Sequence, residues 1–487
     1  MTTALLPNAP MQLFVGGRWT DGEEGFSVED PATGEALGEV ASASPREGVL
    51  ALDAAAAAQD AWAATAPRVR AEILRAAFET IHAQAERFTV LISLESGKTL
   101  AEAHAELDYG ADFLRWYAEE AVRPDGDYRL APTGDKRILT STQPVGPCLL
   151  ITPWNFPLAM VTRKVGPALA AGCTAIVKPP SQTPLTALAM AEVLEACGLP
   201  AGVLSVLPTA NPGALVLPLL ADRRLRKFSF TGSTEVGRRL AEQAAGNLLR
   251  TSMELGGNAP FVVFADADLE RAVESAELAK LRNTGQSCTA ANRFLVEEPV
   301  AEEFGLRLAE RLSSRRLGPG TAPESEVGPL IDAAARDRVA GLVQAALDGG
   351  AQPLAGAVAA DGPGYFYPPT LLTGVAAGAP ILHEEIFAPV APLTTFAGER
   401  EALALANATD WGLVGYLHTR ELDRALRVAD ALQVGMVGLN RGMVSEASAP
   451  FGGVKQSGLG REGGAEGIRE YQELKYLAVA ISSGDGS

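Results

Sequence analysis

Residues 148–200 read "CLLITPWNFPLAMVTRKVGPALAAGCTAIVKPPSQTPLTALAMAEVLEACGLP" and alternate short apolar runs with longer Ala-rich segments. "CLLITPWN" and "TAIVKPP" have the length of buried strands, whereas "RKVGPALAAG" and "TALAMAEVLEACGLP" have the length of helices. Gly198 and Pro200 provide a stop signal for the second helix. This alternation is typical of a parallel sheet with crossover helices, so the stretch predicts an α/β fold.

The same alternation continues on the carboxyl side of this stretch. "VLSVLP" and "LRKFSFTG" have strand character, and each precedes a helix-like segment, "GALVLPLLAD" and "STEVGRRLAEQAAG" respectively. A second α/β run begins near "APFVVFADADLERAVESAELAKL" and continues to "ALRVADALQVGMVGLN". Two or more domains are expected, because the chain has 487 residues and single cores stop growing near ~250–300 residues.

Two segments differ from this pattern because they are β-prone and contain no helix. They read "DYRLAPTGDKRILTSTQPVG" (127–146) and, near the carboxyl end, "YQELKYLAVAIS" (471–482). We expect these strands to leave the main body and to pair with another subunit, which predicts a homodimer or homotetramer.

Composition and charge exclude several classes of function. The net charge of -18 argues against nucleic acid as a partner, because nucleic-acid binding needs basic patches. The chain shows no secretory signal and no apolar run long enough for a bilayer, so no membrane association is expected. The four cysteines form no CxxC pattern, which favours a reducing compartment, the cytoplasm. The four histidines are scattered, so we expect no metal site and expect each histidine on the surface or in a helix. They are His82, His104, His383 and His418.

The most unusual local sequence is "NTGQSCTAANR" (283–293), in which Cys288 stands among small and polar residues after a glycine. Such a composition is typical of a turn. A free cysteine is usually a small buried spacer, and the alternative is a thiol held for nucleophilic chemistry. The residue type alone favours the spacer.

Four other stretches contain candidate site residues, each with a simpler structural alternative. "FTGSTEVG" places Gly232 and Gly237 where backbone could approach a phosphate at a helix start, or form a plain turn. Glu254 in "ELGGNAP" is a candidate general base or a surface carboxylate. Asn155 in "TPWNFP" is a turn cap or an oxyanion donor. Lys178 in "IVKPPSQTP" ends a strand, where open α/β sheets bind ligands.

Together these stretches resemble the aldehyde dehydrogenase superfamily. The shared motifs are TPWNFP, KPP, FTGSTEVG, ELGGNAP, GQSC, EEIFAPV and PFGGVKQSGLGRE, in that order, and the resemblance runs from "PATGEALGEV" to "ELKYLAVAI". It implies a Rossmann-type cofactor-binding domain at 8–124 and 142–254 and an α/β catalytic domain at 255–456. It also implies a small β oligomerisation element at 125–141 and 468–484.

The resemblance assigns three catalytic roles. Cys288 matches the nucleophile, and Asn155 matches the side chain that holds the oxyanion together with the Cys288 backbone N–H. Glu254 matches the general base. The implied reaction is attack of the thiolate on an aldehyde, loss of hydride to the nicotinamide, and hydrolysis of the resulting thioester by water that Glu254 activates.

The cofactor contacts also follow from the resemblance, with one departure. The matching positions are Trp154, Lys178, Gly232, Ser233, Gly237, Glu385 and Phe387. Ser181 occupies a position where many NAD-preferring members have a glutamate that would repel a 2′-phosphate. A serine accepts that phosphate and leaves Lys178 free to pair with it, so NADP is expected as the preferred cofactor and NAD as a second one. The alternative is a neutral surface substitution.

The stretches around Cys288 and the carboxyl-terminal motif are most similar to succinate-semialdehyde dehydrogenases. In that group two arginines and a serine receive the distal carboxylate, and the matching residues are Arg163, Arg282 and Ser445. The expected substrate is therefore a small semialdehyde. Arg441 nearby is either a third cation at the substrate entrance or a solvent-facing residue.

Three alternatives stay open. A glutarate-semialdehyde dehydrogenase differs by one methylene, which a pocket discriminates by only ~1–3 kcal/mol. A broader aldehyde dehydrogenase would share the same catalytic residues. A non-catalytic relative, such as the family's lens crystallins, is disfavoured by the presence of Cys288, Glu254 and Asn155 together.

Overall fold

The computed structural model describes residues 7–123, 126–360 and 362–481. Residues 124, 125 and 482–484, which the predicted cofactor and oligomerisation segments include, lie outside the described residues. Within the described part of the chain, no helix combines the length and apolarity needed to cross a bilayer.

The first sheet has eight strands in the order β2-β1-β9-β8-β7-β10-β11-β21. Its five central strands are mutually parallel, which confirms the predicted parallel sheet, whereas both edges add antiparallel strands. The strands are β1 (Leu13–Val15), β2 (Arg18–Thr20), β7 (Cys148–Ile151), β8 (Ala175–Lys178), β9 (Leu204–Val206), β10 (Lys227–Thr231), β11 (Arg250–Glu254) and β21 (Gly458–Leu459).

Helices cover both faces of this sheet, and β7 shows why the strands form continuous apolar runs. Cys148 and Leu150 pack into one core, while Leu149 and Ile151 pack into a second core on the opposite face. The helices of this region are α1 (Pro45–Ala64), α2 (Pro67–Ala83), α3 (Ala85–Ser96), α4 (Leu100–Glu120), α5 (Ala159–Ala171), α6 (Leu185–Ala196), α7 (Pro212–Ala221) and α8 (Thr234–Ala245).

The second sheet has seven strands in the order β14-β15-β16-β13-β12-β18-β19 and is parallel except for β14. Its strands are β12 (Ala259–Val263), β13 (Ala291–Glu297), β14 (Gln352–Ala355), β15 (Thr370–Thr373), β16 (Val390–Phe396), β18 (Val414–His418) and β19 (Met436–Leu439). The accompanying helices are α9 (Leu269–Leu281), α10 (Glu298–Ser313), α11 (Ala333–Asp348), α12 (Pro380–His383), α13 (Glu399–Asn407) and α14 (Leu422–Ala431). The short helix α15 (Gly464–Arg469) instead packs against α4 and α5 beside the first sheet.

The two β-prone segments form strands, and within this chain they pair with each other in an antiparallel sheet. Its strands are β5 (Gly126–Leu130), β6 (Lys136–Pro144) and β22 (Gln472–Ala480), with β6 in the centre. Two further antiparallel pairs are β3 (Glu24–Glu29) with β4 (Ala36–Ser42), and β17 (Trp411–Gly412) with β20 (Val454–Lys455).

Two features differ from expectation. The amino-terminal strands β1 and β2, which no sequence pattern had indicated, extend the first sheet at its edge. His418 was expected on the surface or in a helix, but it ends β18, where it is buried and stacks on Phe261. Burial lowers its pKa to about 4, so it behaves as a neutral core residue.

Candidate active site

The site lies at the carboxyl ends of neighbouring parallel strands of the first sheet, where open α/β folds bind ligands. Trp154 and Asn155 follow β7, and Lys178 is the last residue of β8. Gly232 follows β10, and Glu254 is the last residue of β11. Because β8, β7, β10 and β11 are adjacent in that order, four distant sequence motifs meet at one edge.

Two glycines of "ELGGNAP" allow the close approach of the two sheets at this edge. A Cβ on Gly256 would lie 2.9 Å from Glu385 Oε2, and a Cβ on Gly257 would lie 2.6 Å from the Cys288 carbonyl oxygen. Any larger residue here would push Glu385 or Cys288 away from Glu254, which explains why two glycines follow the carboxylate.

Cys288 follows a backbone turn that is conformationally unusual. Asn283, Thr284 and Gly285 all have positive φ angles, of 53°, 55° and 73°. Threonine rarely adopts this region because it is β-branched, so the surrounding contacts must hold the turn in place. A Cβ on Gly285 would lie 2.3 Å from the Ala388 carbonyl oxygen, which leaves space only for glycine.

A buried charged cluster at the start of α4 holds this turn. The Asn283 backbone N–H donates to Glu102 Oε1 at 2.6 Å, and the Asn283 amide donates to the Asn155 carbonyl at 2.8 Å. Lys98 Nζ donates to the same Asn155 carbonyl at 2.9 Å and forms an ion pair with Glu106. The cluster therefore fixes the turn before Cys288 relative to Asn155, and sequence reasoning had not identified it.

A cavity of about 300 Å³ lies between the two sheets at this position. Seven of the residues predicted from the sequence line it: Trp154, Asn155, Gly232, Ser233, Cys288, Glu385 and Phe387. Met160 and Arg338 also line it and had not been predicted. The remaining predicted residues, Glu254, Lys178, Ser181, Gly237, Arg163, Arg282 and Ser445, lie outside this lining.

Asn155 is positioned to stabilise negative charge beside the thiol. Its side chain is buried, and its Nδ2 donates to the Gln286 carbonyl at 3.1 Å, two positions before Cys288. An amide nitrogen has two hydrogens, so this contact leaves one further donor. An oxyanion formed at Cys288 needs such a donor in a water-poor site.

The surroundings of Cys288 disfavour loss of its thiol proton. Burial raises its pKa to about 12, and the positive charge of Arg163 opposes that shift. The cysteine is therefore protonated at neutral pH in the absence of ligands. Its neighbours Glu385 and Glu254 add to the shift, since two carboxylates disfavour a third negative charge.

Glu254 is almost completely buried, with 2% of its surface exposed, and its Oε2 has no hydrogen-bond partner among the described residues. Burial raises its pKa well above the ordinary value, and repulsion from Glu462 adds to the shift. A buried carboxyl group with a raised pKa is, when ionised, a stronger base than an exposed one, which suits it to take a proton from water. The alternative of a surface glutamate is wrong for this residue.

The loop 384–388 carries Glu385 and Phe387. Two basic side chains hold this loop by donating hydrogen bonds to its backbone carbonyls. Arg338 donates to the carbonyls of Glu385 at 3.2 Å and Ile386 at 2.5 Å. Lys280 Nζ, which is buried in α9, donates to the Ala388 carbonyl at 3.3 Å. The Glu385 carboxylate accepts the Gly257 backbone N–H at 3.0 Å, and burial raises its pKa to about 7. Arg338 and Lys280 lie in ordinary helices, so no motif marked them.

The residues predicted to hold a dinucleotide suit such a ligand. Lys178 Nζ makes no ion pair or hydrogen bond that the described residues show, and burial lowers the lysine pKa to about 8. A buried ammonium without a protein carboxylate is suited to a hydroxyl or phosphate oxygen. Ser233 begins α8 without a side-chain cap, so backbone N–H groups of the first helical turn stay available for phosphate.

Two predicted cofactor residues have different surroundings. Gly237 packs on Leu255, where a Cβ would lie only 2.4 Å from a leucine methyl group. Ser181 is half-buried and lines a separate cleft of about 320 Å³, together with Glu95 and Asp332. Its hydroxyl contacts Gln182 at 3.3 Å and forms no other hydrogen bond among the described residues.

Two of the three predicted carboxylate-binding residues are in direct contact. Arg282 Nη1 donates to Ser445 Oγ at 3.3 Å, and the guanidinium lies 4.8 Å from the Phe156 ring centre. Arg163 is separate from this pair: it is buried, lies over Phe451, and has Nε 2.5 Å from Glu462 Oε2. Glu462 therefore offsets part of the Arg163 charge.

The Arg163 guanidinium can still donate a hydrogen bond to a second anion. Its Nη1 is buried without a hydrogen-bond partner among the described residues, although its Nε is paired with Glu462. Arg441, whose role the sequence left open, is solvent-exposed. The positive charges of Arg163 and Arg282 both act on the Cys288 thiol, Ser445 contacts Arg282, and Arg441 faces water.

The sequence is similar to known proteins over most of its length. The model of the "Aldehyde dehydrogenase family" matches residues 19–477. A succinate-semialdehyde dehydrogenase of Paenarthrobacter nicotinovorans is 57% identical over 91% of this chain and 99% of its own length. A glutarate-semialdehyde dehydrogenase of Pseudomonas putida is 45% identical over 96% of this chain and 98% of its own.

A solved crystal structure shares this fold over nearly the whole chain. The crystal structure of an E. coli NADP-dependent enzyme superimposes with a TM-score of 0.96 at 45% sequence identity. The alignment covers 97% of this chain and 98% of that chain.

Proposed function

The chain belongs to the aldehyde dehydrogenase family, and from that premise we propose that it oxidises succinate semialdehyde to succinate, with NADP as the preferred cofactor and NAD as a second one. The family, the fold class and the type of enzyme that the seven motifs predicted are confirmed. The individual roles of the site residues belong to the proposal.

The contact between Arg282 and Ser445 is the observation that carries the choice of substrate. A carboxylate that leaves water loses its hydration, so it enters a narrow site only where cations and donors replace that hydration. The planar forks of Arg282 and Arg163 suit this task. A neutral aldehyde would leave both guanidinium groups without that partner.

The catalytic residues act in a fixed sequence. The Cys288 thiol loses its proton to water, its sulfur attacks the aldehyde carbon, and Asn155 with the Cys288 backbone N–H holds the resulting oxyanion. A nicotinamide held by residues such as Trp154, Lys178 and Glu385 would supply the hydride acceptor, and Cys288 would then retain the acyl group as a thioester. Glu254 takes a proton from water, which attacks the thioester and releases the acid.

NADP is proposed as the preferred cofactor because of the charge near the end of β8. Lys178 Nζ is buried and has no partner in the part of the chain that the structure describes, and residue 181 is a neutral serine. The E. coli enzyme with the same fold is NADP-dependent, which supports this choice. Glu95 and Asp332 line the cleft beside Ser181 and set a limit on how strongly a phosphate is favoured there.

A glutarate-semialdehyde dehydrogenase is the second candidate, supported by the Pseudomonas putida relative. The two functions separate by initial rates of reduced-cofactor formation at 340 nm, with both semialdehydes and both cofactors. We expect the largest kcat/KM for succinate semialdehyde with NADP. A larger value for glutarate semialdehyde would select the alternative, and equal values for unrelated neutral aldehydes would reject both.

We also propose that the chain works as a homodimer or homotetramer in the cytoplasm. The sheet β22-β6-β5 exposes large apolar side chains on β22, among them Leu474, Tyr476 and Leu477, which a second copy would cover. The four cysteines are free, as expected for a reducing compartment. Light scattering of the purified protein measures the assembly, and a monomer would overturn the first part of this proposal.

A further inference from the structure

Tyr109 lies on α4 beside the residues assigned to the substrate carboxylate. The Arg282 guanidinium lies 5.6 Å from the centre of its ring, and Phe113 packs edge-on at 5.0 Å. The ring also packs against the small cluster of Phe156, Ala159 and Met160. Met160 lines the cavity that contains Cys288.

The hydroxyl of Tyr109 is buried and has no hydrogen-bond partner among the described residues. A buried hydroxyl without a partner costs about 1–3 kcal/mol, and such groups in native proteins usually serve a bound water or ligand. A tyrosine that served only packing could be a phenylalanine at no cost. The unpaired hydroxyl therefore calls for an acceptor that the protein itself does not provide.

Arg163 Nη1 is a second buried donor without a partner. Met160, against which Tyr109 packs, has its sulfur 3.2 Å from Arg163 Nη2, so both residues with unpaired donors contact the same methionine. The Arg282 guanidinium, which donates to Ser445, also lies 5.6 Å from the Tyr109 ring centre. An anion with two oxygens would satisfy the unpaired donors, whereas a methyl group would satisfy neither.

We propose that the Tyr109 hydroxyl donates a hydrogen bond to the distal carboxylate of the bound semialdehyde and is a specificity-determining residue of this enzyme. The inference rests on the proposed function, because it requires a carboxylate-bearing substrate. The arginines supply charge, which attracts any anion. Tyr109 adds a neutral donor at a fixed place, which favours an anion whose oxygens reach it while the aldehyde is on Cys288.

The test is Tyr109→Phe, which removes one oxygen and keeps the ring against Arg282 and Phe113. We expect kcat/KM for succinate semialdehyde to fall roughly tenfold to a hundredfold, the usual size of one hydrogen bond to a charged group. Butyraldehyde, which has no carboxylate, should keep its kcat/KM within about twofold. Competitive inhibition by succinate should weaken by a similar factor to the semialdehyde effect.

Tyr367→Phe is the matched control, because Tyr367 is fully buried and its hydroxyl donates to the Ala357 carbonyl away from the site. That variant should leave the ratio of the two aldehydes unchanged, and thermal melting of both variants verifies folding. An unchanged ratio in Tyr109→Phe, or equal losses for both aldehydes, overturns the inference alone. A wild type without preference for succinate semialdehyde overturns the proposed function instead.

Discussion

Arg282 Nη1 lies 3.3 Å from Ser445 Oγ, although 163 positions of sequence separate the two residues. Arg282 comes from the turn after α9 that leads to Cys288, and Ser445 comes from the loop after β19. Phe156 and Tyr109 lie beside the guanidinium on other sides. The contact that is proposed to bind the substrate carboxylate is therefore present in the protein without substrate, which would lower the cost of ordering it on binding.

Arg282→Ala should slow oxidation of succinate semialdehyde far more than oxidation of butyraldehyde. Removing the guanidinium leaves the substrate carboxylate without one charged donor, a loss of about 1.5–3 kcal/mol or tenfold to a hundredfold in kcat/KM. Arg282→Lys is the matched control: it keeps the charge but loses the fork, so its effect should be intermediate. Equal losses for the two aldehydes would show that Arg282 does not contact the carboxylate.

Glu254→Gln should separate the two chemical steps. If Glu254 activates water only for thioester hydrolysis, the variant should form up to one equivalent of reduced cofactor per site in a rapid phase and then stall. Cys288→Ser should form none, because the thioester cannot be made. Stopped-flow absorbance at 340 nm measures both variants, and wild-type steady turnover in Glu254→Gln would show that another group is the base.

Ser181→Glu should weaken NADP binding tenfold or more and leave NAD much less affected. A carboxylate three positions after Lys178 would repel a 2′-phosphate and could pair with the lysine itself. Ser181→Gln, which has the same shape without the charge, should leave NADP binding closer to that of the wild type. Fluorescence titration gives the dissociation constants, and equal weakening of both cofactors would exclude contact between residue 181 and the 2′-phosphate.

Alkylation of Cys288 by iodoacetamide should accelerate steadily as pH rises from 7 to 10. Burial raises the thiol pKa to about 12, so the reactive thiolate remains a small fraction that grows with each step in pH. The half-buried Cys197 serves as an internal comparison when peptides are quantified by mass spectrometry. A plateau in the Cys288 rate below pH 9 would show that the free enzyme already stabilises the thiolate.

Much of the first sheet can be predicted from the sequence, because its strands depend on local patterns of apolar residues. β7 and β8 are buried along their whole length and read CLLI and AIVK, so they appear as short apolar runs, and their carboxyl ends carry recognisable motifs. β11 reads RTSME, which contains no apolar run, and no sequence pattern predicted it. The very short strands β1 and β2 carry no such pattern. They become strands only because an edge of the first sheet is available to them.

The residues that hold the site in place cannot be predicted from local sequence patterns, for a physical reason. Glu102 and Lys98 stand at the start of α4, where they resemble ordinary helix-capping and surface residues. Their contacts with Asn283 and Asn155 exist only after α4 has packed against the turn before Cys288. The positive φ of Thr284 runs against the preference of its own side chain, so tertiary contacts determine it.

The ratio of kcat/KM for succinate semialdehyde over butyraldehyde, measured with NADP on the wild-type protein, tests the central claim most directly. The two aldehydes have chains of equal length and differ in the terminal carboxylate that Arg163, Arg282 and Ser445 are proposed to bind. The account predicts a ratio of at least a hundredfold, because the neutral aldehyde leaves the two guanidinium groups without that partner. A ratio near one would contradict it and would describe a general aldehyde dehydrogenase.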